Sequence, residues 1–433
     1  MIRFLFLLSI YIPSLVQAQT LTIENEETNE PIEMATISSN NPSLFAITNG
    51  KGEADISDFL DVVTIEIRSV GFENLSISFK EIQNRYFEIK LQPSSFSLDD
   101  VVVSATKWRQ SNKEIPGKIS SISSKGVVLS NPQTTADLLA SSGEVFMQKS
   151  QQGGGSPMIR GFSTNRLLYT VDGVRMNTAI FRSGNIQNVI SLDAFAIENT
   201  EIMFGPGSVI YGSDAIGGVM SFTTLTPQFS STDKLYAKGN TLTRFASANN
   251  ELSTHVDVNL GWKKFAMITS FTYSNFGDLK MGSHGPDEYL RPFYVQRQDS
   301  VDALIKNDDP LKQIPTAYSQ MNVMQKLAFK PNRNWDFTYA FHYSETSSYG
   351  RYDRHIQYRN DLPRSAEWNY GPQKWLMNQL TIAYKRTNIA FDEMNIRLAH
   401  QYFNESRIDR DFNELIRSTK EEKVFAYSAN FDF

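Results

Sequence analysis

The chain offers little that could break or form a covalent bond. None of its 433 residues is Cys, which excludes thiolate nucleophiles, thiolate metal sites and disulfides. The five His include no HExxH pair, so no metalloprotease-type zinc site is expected. Gly205-Pro206-Gly207 and Gly217-Gly218 could cradle a phosphate only if Lys-Ser/Thr followed, and it does not. No carboxylate pair and no nucleophile with a base form a recognisable constellation. The net charge of -5 and pI near 5.7 provide no basic field for nucleic acid. The expectation is a protein that is not an enzyme, with no catalytic residue, metal site or resident cofactor.

The elements around these residues are mostly strands. Arg3, the apolar run Phe4 to Ile12, then Val16 and Ala18 before Gln19 read as a secretory signal over residues 1–18. The mature chain is thus expected to be exported. Residues 19–93 alternate short β-branched runs with turns at Asn40-Asn41-Pro42 and Asn49-Gly50-Lys51-Gly52, which suits a small β-sandwich. Residues 94–114 form a linker around Asp100-Val101-Val102-Val103-Ser104-Ala105-Thr106. Three consecutive valines favour an extended strand, and no partner strand is evident nearby; the alternative is a last strand of the sandwich. Residues 115–227 are mixed α+β, with a helix expected from Pro132 to Ala140 behind an Asn131 cap.

Residues 228–433 change to two-residue alternation. Trp335, Phe337, Tyr339, Phe341 and Tyr343 interleave with Asp336, Thr338, Ala340 and His342. Eight strands are expected, near 235–246, 254–262, 265–274, 319–330, 335–343, 376–384, 389–402 and 423–433. Tight turns at 263–264, 331–334 and 385–388 alternate with long links at 275–318 and 344–375. No apolar run is long enough to cross a bilayer as a helix, but aromatic alternation with unequal links is the pattern of a transmembrane β-barrel facing lipid.

Three groups of residues now carry a resemblance. Arg160-Gly161-Phe162, Val171-Asp172-Gly173-Val174 and Phe204-Gly205-Pro206-Gly207-Ser208-Val209-Ile210-Tyr211-Gly212 with Ala215-Ile216-Gly217-Gly218-Val219 resemble, in this order and spacing, the plug of TonB-dependent outer-membrane receptors. Asp100, Val101, Val102, Val103, Ser104 and Ala105 look like the TonB box of that family. Pro31 to Ile37, Thr48 to Gly52 and Ser69 to Phe72 resemble the carboxypeptidase-regulatory-like domain, a combination similar to Bacteroidota receptors.

The resemblance implies energised import of a scarce nutrient across the cell outer membrane. Its partners would be the TonB–ExbB–ExbD complex, outer-membrane lipid and an extracellular ligand bound between plug top and barrel loops. The family's barrel has 22 strands, so about eight imply the N-terminal part of a longer receptor. The plug glycines Gly161, Gly173, Gly205, Gly207, Gly212, Gly217 and Gly218 would serve tight turns and close backbone approach. Arg160, Asp172, Arg175, Asp193, Glu198 and Glu201 are expected to make the main polar contacts with the barrel wall. The plug resembles haem and siderophore branches more than the glycan branch, so an iron chelate is favoured over a glycan or peptide. An apical loop with Phe181, Arg182 and Asn185 could meet it, Arg182 pairing bidentately with a carboxylate. His284 and His355 could ligate haem iron. A secreted adhesin is a further alternative.

Overall fold

The computed structural model describes residues 19–40, 42–69, 72–92, 101–102, 107–108, 110–111, 115, 117–149, 151–176, 180, 188–386 and 391–433. The expected signal segment lies outside them. The chain divides into two compact units, Met1–Asp100 and Val101–Phe433.

In the first unit, two sheets enclose one apolar core. One has the order Glu53–Asp55, Thr20–Asn25, Glu88–Leu91; the other runs Ser43–Ile47, Thr36–Asn40, Ile65–Arg68, Leu75–Ile77. Alternation along Thr20–Asn25 turns Leu21 and Ile23 inward to meet Ile37, Ile65, Ile67 and Ile89. A helix, Phe79–Asn84, stands among these strands and departs from the all-strand pattern expected for residues 19–93. It starts at a capping box in which Ser78 and Glu81 satisfy each other's backbone N–H, a signal present as Ser-x-x-Glu.

The second unit opens with a small mixed sheet, ordered Ile119–Ser123, Ile197–Phe204, Gly218–Thr224, Leu167–Val171, Val174–Arg175. Leu167–Val171 is parallel to Gly218–Thr224 and buried along its whole length. That burial is why it reads as an unbroken apolar run rather than an alternating one. The helix near 132–140 is Thr135–Ser141, and its cap is Thr134, boxed with Asp137. Asn131 instead ends the preceding helix Ser124–Ser130 in the left-handed region, a conformation asparagine tolerates.

Around this sheet runs a wall of eight antiparallel strands, each paired to the next in sequence. They are Tyr236–Ala246, Glu251–Gly261, Phe265–Phe276, Tyr318–Phe329, Trp335–Thr346, Ser365–Lys385, Glu393–Asp411 and Ser418–Asp432. All eight expected strands are present. The sixth and seventh are longer than alternation alone indicated, so the long link expected at 344–375 shrinks to 347–364. At 21 and 19 residues they exceed the roughly 9–11 that cross a bilayer, and they project beyond it. The first and eighth strands are not paired with each other, so the wall is an open sheet.

Register fixes the polarity of the two faces. One row across seven strands is Val256, Phe271, Val323, Tyr343, Leu376, Tyr402 and Phe425, all turned outward. The next row is His255, Thr272, Asn322, Ser344, Trp375, Phe403 and Val424, facing the small sheet. The second strand shows the inversion most plainly. Glu251 and His255 are 1% and 4% exposed, while Leu252 and Val256 are 53% and 41% exposed. Such a sheet is the reverse of a water-soluble one and matches the lipid-facing wall of a barrel. The fold is therefore mainly β, with an α+β plug against part of a transmembrane-type barrel.

The inversion predicts an asymmetric response to charge. Within a bilayer, Val258→Lys on the outward face is expected to cost about 2–4 kcal/mol, the penalty of a cation near the membrane midplane. Denaturant unfolding in lipid vesicles measures it. A loss below about 0.5 kcal/mol would place this face outside the apolar layer.

Candidate functional site

The contact between plug and wall is built on one tight hairpin. Leu167–Val171 and Val174–Arg175 pair antiparallel through Val171 and Val174, leaving a two-residue loop, Asp172-Gly173. Both loop residues have positive φ, 49° and 81°, the type I′ geometry that Asp-Gly favours. The turn thrusts the Asp172 carboxylate at the wall. It accepts from the Thr224 backbone N–H at 2.9 Å and the Thr224 hydroxyl at 2.8 Å. Lys326 Nζ of the fourth strand lies 3.0 Å away, and His342 Nε2 of the fifth lies 3.3 Å away. Burial pushes the Asp172 carboxyl up, but Lys326, His342 and the Thr224 N–H outweigh it and hold it below the usual carboxylate range. A Cβ on Gly173 would sit 2.8 Å from Arg397 Nε, so the seventh strand presses directly on the glycine backbone.

Other contacts repeat this arrangement. Asp193 caps the turn Ala194–Ala196 through the Phe195 N–H, and its second oxygen accepts from the Thr272 hydroxyl at 2.6 Å. Burial raises the Asp193 carboxyl, with the neighbouring His255 pulling the other way. Three wall glutamines donate to plug backbone carbonyls: Gln320 to Ile190 at 2.6 Å, Gln379 to Asp172 at 3.0 Å and Gln401 to Arg175 at 2.8 Å. Between these polar anchors, Trp375, Met377, Ala399 and Phe403 of the wall join the plug's own apolar core. Glutamines on strands gave no sign in the sequence that they would address another domain.

Near the tight-turn end, Asp432 of the eighth strand joins two cations. Lys107 Nζ lies 2.8 Å from one oxygen and Arg397 Nη1 2.7 Å from the other. Lys107 also sits over the Tyr211 ring at 5.8 Å. Just upstream, Val101–Val102 pairs antiparallel with Gln110–Ser111. The valines thus have a partner strand close in sequence after all, and they belong to the second unit rather than to the sandwich. Asp100, Val103, Ser104 and Ala105 lie outside the described residues, as do Phe181, Arg182 and Asn185 of the apical loop.

The expected plug charges divide. Asp172 and Asp193 meet the wall. Arg160 does not carry the expected role: it is exposed, with its guanidinium over the Phe204 ring of the plug itself. The Arg175 side chain pairs with Asp214, and only its carbonyl meets the wall. Glu198 accepts from Thr226, and Glu201 from Asn199. Gly161 follows Arg160 in a turn, Gly205 and Gly207 lead into the helix Ser208–Tyr211, and Gly212 follows it. Gly217 and Gly218 open the strand Gly218–Thr224; a Cβ on Gly217 would fall 2.3 Å from Phe162 Cβ, which ties the third glycine motif to the first.

Of the two loop histidines, His284 is exposed beside Ser283. His355 is 2% exposed, with Nε2 3.0 Å from the Trp368 carbonyl oxygen. Burial, with the nearby Arg291 cation, pulls its pKa down to about 4. Its ring is packed within the loops and not presented to an incoming iron centre.

Comparison with known proteins agrees with this architecture. Residues 111–219 match the TonB-dependent receptor plug domain. A vitamin B12 transporter of Vibrio vulnificus (strain CMCP6) is 35% identical over 136 residues, 30% of this chain and 22% of that protein. A hemin receptor of Yersinia pestis is 31% identical over 130 residues, 30% of this chain and 19% of that protein. Among solved structures, the FrpB iron transporter of Neisseria meningitidis superposes with a TM-score of 0.54 at 14% identity, over 73% of this chain and 46% of its own. The ferric enterobactin receptor of Pseudomonas aeruginosa does so with a TM-score of 0.52 at 14% identity, over 74% and 46%. The chain thus spans about a fifth of the curated relatives and just under half of the solved neighbours. These proteins are transporters and receptors, not enzymes.

The Asp172 anchor makes a pH-dependent prediction. A carboxyl held below its unfolded value stabilises above that value, near pH 4, and loses the contribution as pH falls through the folded one. Asp172→Asn keeps the shape but strips Lys326 of its counter-ion. It should cost about 3 kcal/mol at pH 7 and remove this part of the acid sensitivity. Thermal unfolding of both proteins between pH 3 and pH 7 checks it; equal stability at pH 7 would show the carboxylate is not an anchor.

Proposed function

We propose that this chain, whose residues 111–219 are a TonB-dependent receptor plug domain, acts in energised uptake of a scarce nutrient through the outer membrane. The observation that carries the reading is the inverted wall. Its polar face is covered by the plug, which bonds it through Asp172, Asp193 and backbone carbonyls, while its aromatic and aliphatic face needs lipid. An adhesin would require neither that polarity nor a plug. The residues before Gln19 serve as the export signal in this reading. Residues 19–93 act as a carboxypeptidase-regulatory-like docking module of the kind seen in Bacteroidota receptors.

Work is delivered from the periplasmic side. In this proposal, residues Asp100 to Ala105 are the TonB box, and the TonB–ExbB–ExbD complex is the partner. An extended valine segment offers main-chain N–H and C=O groups for strand addition. The pairing of Val101–Val102 with Gln110–Ser111 uses such groups already, so the partner would replace a two-residue ladder rather than bind a bare strand. Pull on this segment leads through Lys107 to Asp432 and Arg397, and through Arg397 to the Asp172-Gly173 turn.

The favoured ligand is a metal chelate, haem or siderophore, bound at the long-loop face where Phe181, Arg182, Asn185 and His284 are the remaining candidate contacts. Likeness of the plug to a hemin receptor and a vitamin B12 transporter supports this class. A glycan or peptide importer of the same fold is the second reading. Equilibrium binding of haemin, ferric siderophores, cyanocobalamin and oligosaccharides to the receptor separates them, and tight binding of oligosaccharide alone would sink the chelate reading.

The box assignment has its own test. Val102→Pro removes a backbone donor and fixes φ, so strand addition should fail. Surface binding should persist while energised uptake drops to background, whereas Val102→Ile should be nearly silent. Binding, uptake and receptor level are read in the same cells, and intact uptake in the proline variant rejects the box.

A further inference from the structure

The outward face of the wall is not apolar throughout. One step toward the tight turns from the row that holds Phe271 and Tyr343, the register aligns Thr269, Gln325, Phe341, Asn378, His400 and Tyr427. Strand parity turns all of them outward, and four are polar amides, a hydroxyl or an imidazole. The next row, with Leu327, Tyr339, Leu380 and Leu398, is apolar again but for one phenol hydroxyl. On the fifth strand, Phe341 stands midway between two markers of depth. Phe337 stacks on Trp335 at the tight-turn end, and Glu345 pairs with Lys374 toward the loops. Each half of that span rises roughly 10 Å on a tilted strand, so the polar row lies near the middle of an apolar band about 25 Å tall.

The row has two polar halves. The Thr269 hydroxyl donates to Gln325 Oε1 at 2.6 Å, and Gln325 Nε2 donates to the Ile268 carbonyl at 3.2 Å, so this half closes on itself. Asn378 and His400 are direct neighbours on the sixth and seventh strands, and both line a surface depression of about 540 Å³. Tyr339 and Tyr427, both exposed, border it. The Tyr339 hydroxyl donates to Asn378 Oδ1 at 2.7 Å, and the Tyr427 ring centroid lies 4.9 Å from that of His400. An amide can bond at both ends and an imidazole at both nitrogens, more than one hydroxyl can use. Acyl chains offer no hydrogen bond at this depth, and lipid headgroups lie at the interfaces. Polar and ionisable side chains there point to an embedded protein surface.

The lining of the depression contains no Lys, Arg, Asp or Glu, so an identical surface can meet it without repulsion between like charges. A two-fold axis would set His400 of each copy against Asn378 of the other. A neutral imidazole and an amide each carry a donor and an acceptor, which makes the patch complementary to itself. The exposed Tyr427 beside the recess gives each copy both a projection and a place to receive one. We infer that the outward face of the fifth to eighth strands, around Asn378 and His400, is an intramembrane interface with a second copy of this chain. The inference stands on the placement of the wall in lipid and is independent of which ligand is carried.

The chain has no Cys, so one introduced thiol reports one position. Ala429→Cys places it in the depression, and Val258→Cys places it in the same outward row on the second strand. The receptor is treated with a short bis-maleimide in outer-membrane vesicles. Ala429→Cys should give a band of twice the receptor's mass about tenfold more readily than Val258→Cys, and adding Asn378→Leu with His400→Leu should cut that band about tenfold. Denaturant unfolding in the same vesicles is the second readout, because leucines on a face that meets lipid keep or raise stability. A double leucine variant that is more stable and crosslinks undiminished overturns the inference. Equal crosslinking at both cysteines, a crosslink to a different protein, or no crosslink also overturns it. Carbonate washing of the vesicles reads insertion separately. If the receptor is retained, its membrane placement stands whatever the crosslinking shows; if it is washed away, that placement and the inference fall together.

Discussion

The constraint beneath this structure is an inner wall face that is polar and has to be dry. Glu251, His255, Asp257, Asn259, Thr272, Asn322, Lys326 and Gln379 all point inward and are buried. Left without partners, each would lose hydration worth a kcal/mol or more. The plug removes part of that penalty, with Asp193 accepting from Thr272, Asp172 and the Thr224 carbonyl meeting Lys326, and the Asp172 carbonyl accepting from Gln379, while Asp257 is satisfied within the wall by Asn240. In return, the wall covers strands of the plug that a sheet of five short strands could not bury alone. Neither part is a finished fold by itself, because each contributes to the other's core as well as to its hydrogen bonding.

The Asp172-Gly173 turn concentrates this dependence. Two positive φ angles aim the carboxylate at Lys326 and His342, while the missing side chain of Gly173 lets Arg397 approach. Arg397 is shared with Asp432, which also holds Lys107, twelve residues before the plug sheet begins at Ile119. One short hairpin thereby contacts four wall strands and is linked, through Arg397 and Asp432, to the segment that follows the valines. Such a geometry seats the plug through one turn that several strands grip at once.

What could be read from the residues follows from how local each signal is. Strand alternation is local, so Trp335 to Tyr343 announced its strand and its lipid-facing side without any partner. The Asp-Gly and glycine-rich motifs are local too, and their turns stand where the spacing put them. Contacts that depend on register across distant strands left no such trace. Nothing around Gln379 distinguishes it from a solvated residue until pairing sets its parity inward. Arg160 misled because an arginine in a plug motif suggested a charge partner, whereas the nearest suitable surface was the Phe204 ring. The extension of the sixth strand back to Ser365 was hidden by Gly371-Pro372, which reads as a break but is absorbed at an irregularity in the pairing. His355 sat in an expected loop, but loops that pack on one another create interiors of their own.

The three wall glutamines have a consequence for how such a protein can change. Gln320, Gln379 and Gln401 bond to carbonyl oxygens of Ile190, Asp172 and Arg175, groups that every residue type possesses. Their specificity is for the path of the plug backbone and not for its side chains. Substitutions on the plug surface can therefore accumulate without unseating it, provided the trace is kept. The surface of the plug can thus vary in sequence while the seat beneath it, addressed through its backbone, stays the same.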